Sequence, residues 1–137
     1  MSGIKIKSIA PIETGAYKLC LTFVAGPGDP DYRDSAYQEE LHGVQDKLKA
    51  LGNKVQARAH FQKSGTGGSW LTGDFLLQLS ALGTPLGTLF GVWIAAKLGR
   101  KVRIKVGDIE VEAGTMKEVE HLLERARGIK AEADKTP

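Results

Sequence analysis

The stretch Phe75–Ala96 constrains this chain more than any other feature: 22 residues carry no formal charge, with Asp74 before them and Lys97, Arg100 and Lys101 after them. A run of that length would just span a bilayer as one helix, and the basic flank suits a cytoplasmic end. Gln78, Ser80, Thr84 and Thr88 interrupt it, however, and Gly83-Thr84-Pro85 stands near its centre. A spanning helix would lose backbone hydrogen bonds there. The sequence therefore favours an apolar helical hairpin, two short helices over about Leu71–Leu82 and Pro85–Leu98, with Pro85 in a first helical turn where its missing N–H costs nothing. Contact with a membrane through residues 75–96 is the second reading, and a partner-docking surface the third.

The remaining chain supplies the sheet on which such a hairpin would pack. Tyr17, Leu19, Leu21 and Phe23 alternate with Lys18, Cys20 and Thr22, the period of a strand with one covered face. Ile4 and Ile6 suggest a short edge strand before it. The breakers Gly26-Pro27-Gly28-Asp29-Pro30 follow, and then a helix is predicted from about Asp31 or Tyr32, with Tyr37, Leu41, Val44, Leu48 and Leu51 on one stripe and Gly52-Asn53 at its end. Val55, Ala57, Ala59 and Phe61 make the next strand, so that residues 17–62 read as a β-α-β unit with a right-handed crossover. Across Gly107-Asp108, Val102, Ile104 and Val106 face Ile109, Val111 and Ala113 as a type II′ hairpin, which sets Lys105 opposite Glu110 and Arg103 opposite Glu112. Thr115-Met116-Lys117-Glu118 is a capping box opening a C-terminal helix with the stripe Val119, Leu122, Leu123, Ala126 and Ile129. The prediction is one α+β domain over residues 1–130, its helices packed on a mixed sheet, and a polar, fraying tail over 131–137.

Composition narrows the function classes. The chain has 137 residues, 42% apolar and 26% charged, an ordinary single-domain mixture that excludes collagen-like or wholly disordered chains. A net charge of +3 is too small to imply a polyanionic partner without a local cluster. The densest basic run, Lys97 to Lys105, has acidic cross-strand partners and no interleaved aromatic residues to stack bases, so no nucleic-acid partner is expected. One cysteine rules out an internal disulfide, and the N-terminus lacks the apolar core of a secretory signal, so the cytoplasm is the expected compartment.

Catalytic spacing is equally sparse. Gly65, Gly67 and Gly68 lie in a flexible connection, but no Gly-Lys-Ser/Thr follows and Trp70-Leu71 stands where a phosphate-binding lysine is needed. Cys20 and His60 fall on the polar faces of two strands that a β-α-β unit places side by side or one apart, which makes a thiol enzyme the competing function class. No carboxylate is placed to orient His60, and His42 and His121 show no metal-ligand spacing. Neither a metal nor a cofactor is expected. The surplus apolar length points instead to a contact surface made of Trp70, Phe75, Phe90 and Trp93, rimmed by Arg100 and Lys101, with close helix approach at Gly83, Gly87 and Gly91.

The order of elements resembles a known family. A charged helix, a glycine-rich connection, the apolar segment ending Trp93-Ile94-Ala95-Ala96-Lys97-Leu98-Gly99-Arg100, the hairpin Val102 to Ala113 and the closing helix Glu118-Val119-Glu120-His121-Leu122-Leu123 resemble the effector-associated constant component domains of bacterial conflict systems. The resemblance covers about Tyr37 to Arg127 and is best from Leu86 onward. It implies a small non-enzymatic adaptor in the bacterial cytoplasm, joining an effector peptidase or a nucleotide-hydrolysing protein into an assembly.

Overall fold

A computed structural model of the chain describes residues 19–61 and 69–135. The predicted edge strand at Ile4 and Ile6, the start of the strand at Tyr17, and the glycine connection from Ser64 to Gly68 lie outside the described residues. Strand β1 (Leu19–Val24) buries Leu19, Leu21 and Phe23 on one side, as its alternation requires. Helix α1 (Ser35–Ala50) starts a few residues later than predicted. Asp31 is spent on a turn, its carbonyl accepting from the Asp34 amide at 2.9 Å and its side chain from the Arg33 amide at 2.8 Å. Asp34 caps the helix, accepting from the amides of Ala36 and Tyr37. The chain leaves α1 through Gly52, whose φ of +93° suits a residue without a Cβ.

Strands β2 (Val55–Phe61), β3 (Ser69–Leu77), β4 (Lys101–Val106) and β5 (Ile109–Ala113) complete a five-stranded sheet in the order β2-β3-β1-β4-β5. Every ladder is antiparallel, so the predicted mixed sheet is corrected. Strands β1 and β2 do run the same way on either side of α1, but β3 inserts between them, with Leu76 opposite Cys20 on one side and Gln56 on the other. No parallel β1–β2 ladder can form.

The helical hairpin is the second correction. Its first half is not a helix but β3, followed by a 3-10 turn (Leu79–Gly83) and a single helix α2 (Leu86–Ala96). Leu71, Gly73, Phe75 and Leu77 are buried and alternate with half-buried residues, a period of two. A central strand covered in part on both faces presents a nearly continuous apolar run, which hides that period behind Leu76. The break at Gly83-Thr84-Pro85 is where predicted, with Thr84 Oγ1 donating to the Ala81 carbonyl at 2.5 Å and the helix opening after Pro85.

The β4–β5 hairpin keeps the predicted register: Arg103 opposes Glu112 and Lys105 opposes Glu110, and Gly107 at φ +60° is followed by an aspartate without positive φ, the type II′ signature. Helix α3 (Met116–Lys135) starts at the capping box, with the Glu118 amide donating to Thr115 Oγ1 and the Glu118 carboxylate accepting from the Gly114 amide at 2.8 Å. It continues to Lys135, so the stretch predicted as a tail from 131 is helical as far as that residue. Leu41 and Leu48 of α1, Leu86 and Phe90 of α2 and Leu122 of α3 join Leu21, Phe75 and Ile104 of the sheet in one core. Because Leu21 is paired with both Phe75 and Ile104, these strand residues share a face, and all three helices lie on it.

Candidate functional site

The residues singled out as a contact surface come together, but inside the molecule. Phe75, Phe90 and Trp93 belong to the core, and Arg100 is 1% exposed. Only Lys101 is exposed, and Trp70 is half-buried at the start of β3. The organising ring is Phe23, which the alternation places on the covered face of its strand but not in the contact surface: Phe75, Phe90 and Trp93 all meet it edge-on, with centroids 5.6–5.7 Å away. The predicted surface centred on Phe75, Phe90 and Trp93 is therefore corrected to an aromatic core. Its cause is elementary: β3 and α2 turn their largest apolar side chains toward the sheet face they share.

Arg100 closes this core. Its guanidinium lies 3.8 Å from the centre of the Trp93 ring and forks onto Asp29, Nε to Oδ2 at 3.0 Å and Nη2 to Oδ1 at 2.8 Å. Glu40 accepts from the same guanidinium at 2.8 and 3.1 Å. Burial works against the Arg100 charge, but the hydrogen bonds to Asp29 and Glu40 outweigh it and hold the pKa above its ordinary value. Hydrogen bonding from Arg100 in turn holds the Asp29 carboxyl below the usual carboxylate range, with the Gly26 amide assisting at 2.7 Å. The breakers at 26–30 thus form a fitted loop: a Cβ on Gly26 would run into the Leu98 carbonyl. Trp93 Nε1 donates to the Val24 carbonyl at 3.2 Å, tying α2 to the end of β1. This constellation is a structural clamp joining β1, α1 and the turn before β4.

Two features remain on the surface. The first is the outer side of α2, a helix with no charged residue whose inner side packs on the sheet. Apart from the exposed Thr88, its outer side is apolar too: Val92 is 53% exposed, Ala95 and Ala96 are exposed, and Leu98 just beyond is 91% exposed. Between α1 and α2 runs a groove of about 180 Å³, with apolar walls that include Val44, Leu89, Val92 and Ala96 and with Glu40 and Lys47 along its α1 side.

The second is the sheet face opposite the helices, where Cys20, Thr22, Arg58, His60, Asp74, Arg103 and Lys105 are carried. Here the proposed dyad does not assemble. Cys20 is level with Leu76 and Gln56, whereas His60 is level with Trp70, four residues further along β2 and two strands away, on the order of 15 Å. Burial pushes the Cys20 thiol up to about 11, with the Asp74 charge adding to it. His60 instead packs its ring against Tyr32 at 5.7 Å. Arg103 pairs with Glu112 at 2.9 Å, the partner read from the register, and also reaches Glu110 at 3.7 Å, which the register sets opposite Lys105. Among the described residues no cluster of three or more His, Cys, Asp or Glu side chains could hold a metal ion, and no helix is long and apolar enough to cross a membrane. Insertion of residues 75–96 as a hairpin is also inconsistent with Phe75 and Leu77 lying in an interior strand.

No family model, curated protein or solved structure matches the chain.

Proposed function

We propose that this chain is a non-catalytic adaptor that binds another protein through the outer side of α2 and the groove beside α1. The observation that carries this reading is the apolar character of α2 on the side away from the core, with Val92 53% and Leu98 91% exposed. Water against that side costs about 25 cal/mol for each Å² of apolar surface, which a partner's apolar side chains would relieve. The resemblance to conflict-system adaptor domains supports the same class and suggests an effector peptidase or a nucleotide-hydrolysing protein as the partner. The contact belongs to the segment the sequence singled out, but to its outward residues rather than to Phe75, Phe90 and Trp93.

The test is co-purification of the tagged full chain with the products of the genes next to its own. Val92→Glu/Leu98→Glu should abolish recovery of the partner while leaving the thermal unfolding temperature within a few degrees, because both side chains face solvent. A variant that still recovers the same partner at wild-type yield refutes the proposal. A membrane surface is the second reading, favoured by Leu98 lying between the exposed Lys97 and Lys101. Sedimentation of the isolated chain with anionic lipid vesicles, lost in the same variant, would select it.

A further inference from the structure

The sheet ends in two edges of different make. Strand β2 meets β3 through a register shift between Ala57 and Ala59, an irregularity of the kind that blunts an edge. Strand β5 keeps one register with β4 from Val106–Ile109 to Val102–Ala113 and holds no proline. Its helix-facing side carries no charge: Ile109, Val111 and Ala113 lie there, and Ile109 is 39% exposed. Among the described residues no strand lies beyond it. A two-residue turn makes its flanking pair, Val106 and Ile109, the hydrogen-bonded one, so the alternation of the ladder bonds Val111 and Ala113 to β4 as well. The N–H and C=O groups of Glu110 and Glu112 then point away from β4, along an edge ready to pair with an extended chain.

Charge decides what such a chain can be. On the helix-free face β4 carries Lys101, Arg103 and Lys105 and β5 carries Glu110 and Glu112, so the sign alternates from strand to strand. The side chains of Glu110 and Glu112 both reach Arg103 yet stay 40% and 39% exposed. In an added antiparallel strand the residues directly opposite Glu110 and Glu112 share their face, so basic side chains there continue the alternation and acidic ones are repelled. The residue between them falls opposite Val111, on the apolar side. A second copy of β5 centred on Val111 would set Glu110 against Glu112, like against like, so β5 is a poor partner for itself.

We infer that the free edge of β5 is a docking site for an extended segment of another protein in which basic residues alternate with apolar ones, added to the sheet as a further antiparallel strand. Backbone hydrogen bonds to Glu110 and Glu112 hold the segment, and the two carboxylates select its charge. The site uses none of the outward residues of α2 and does not depend on the adaptor reading.

Fluorescence anisotropy of the full chain tests it, with a labelled acetyl-Lys-Ile-Lys-Ile-Lys-amide peptide and its counterpart carrying Glu in place of Lys. The basic peptide should bind saturably and about tenfold or more tightly than the acidic one, since two cross-strand pairs change from opposite to like charge. Glu110→Gln/Glu112→Gln should erase that preference. Glu110→Pro removes an amide that β4 does not use and should abolish binding of both peptides. Should Glu110→Pro fail to fold, methylation of the peptide's lysine amides, the donors opposite Glu110 and Glu112, must abolish binding to the wild type instead. No saturable binding of the basic peptide, equal affinity for the two peptides, or undiminished binding of the methylated one overturns the inference. So does binding seen only in Lys5→Glu/Lys7→Glu, which gives the edge to the chain's own Lys5-Ile6-Lys7, or a wild-type dimer that Glu110→Pro dissociates, which gives it to a second copy.

Discussion

Replacing Arg100 by Met removes one charge from a cluster in which the three charged groups are buried to very different degrees, and that difference sets the cost. Arg100 and Asp29 have side-chain exposures of 0% and 1%, whereas Glu40 is 41% exposed. Without the guanidinium Glu40 can turn to water, but Asp29 keeps only the Gly26 amide as a donor. Removing one partner of a buried pair costs about 3–5 kcal/mol, and loss of the stack on Trp93 adds up to about 2 kcal/mol, offset in part by the packing of the Met side chain. A net loss of about 3–5 kcal/mol is a large share of the 5–15 kcal/mol typical of a domain, and should appear in urea unfolding as a lower midpoint with an unchanged slope. Arg100→Met/Asp29→Asn should recover part of the loss, because the stranded charge goes with it. Acidification supplies a second readout. Arg100 holds Asp29 below the usual carboxylate range, so the folded protein binds that proton more weakly than the unfolded chain. The stabilisation is complete above that range and is lost as the pH falls through the folded value, so the gap between wild type and Arg100→Met should narrow in acid. A loss under about 1 kcal/mol at neutral pH, or a gap that widens in acid, would refute the assignment of Arg100 and Asp29 as a stabilising buried pair.

Three further substitutions or labelling experiments probe other parts of the fold. Gly73→Ala forces a Cβ to within 2.8 Å of the Phe23 carbonyl at φ +101°, and should lower stability by at least about 2 kcal/mol in the same urea assay. Gln38 donates to the Leu71 carbonyl at 3.0 Å and accepts from the Leu71 amide at 2.8 Å, so Gln38→Leu leaves two buried backbone groups unpaired at a cost of about 2–4 kcal/mol. Its hydrogen-exchange signature should be faster exchange of the Leu71 amide. Burial pushes the Cys20 thiol up to about 11, so alkylation by iodoacetamide at pH 7.5 should run about a hundredfold slower than in the urea-unfolded chain, and a comparable rate would exclude the buried placement.

Local signals in the sequence decided more of the fold than the long-range ones. The Gly107-Asp108 turn, the Thr115/Glu118 cap and the Tyr37–Leu48 stripe each rest on contacts within a few residues, and each is found where the spacing puts it. The sheet order rests on contacts between residues more than fifty positions apart, such as Thr22 with Asp74, and no periodicity carries that information. The clamp was hidden for a related reason. In the sequence Arg100 stands as a rim residue of the expected contact surface, and Asp29 as a member of a breaker run. Only the approach of the 26–30 loop to the turn at 97–100, where Gly26 and Gly99 allow backbone contact, makes them a buried pair.

The 70–98 segment shows how one compositional signal divides among three physical roles. Its first part is buried because β3 is hydrogen-bonded on both sides and carries Phe75 and Leu77 into the core. Its middle turns because Pro85 cannot continue a hydrogen-bonded run and Thr84 ties back to Ala81. Its last part, α2, has apolar residues in excess of what one buried side requires, since Leu86, Leu89, Phe90 and Trp93 already fill the core side. Val92, Ala95, Ala96 and Leu98 are exposed among the described residues. Glutamate at Val92 and Leu98 should therefore leave the fold intact, and in the proposed docking role these positions are where a partner's apolar side chains would sit. That makes the surplus, rather than the total hydrophobicity, the quantity that bears on function, and Val92→Glu/Leu98→Glu separates the two because it removes the surplus and leaves the core intact.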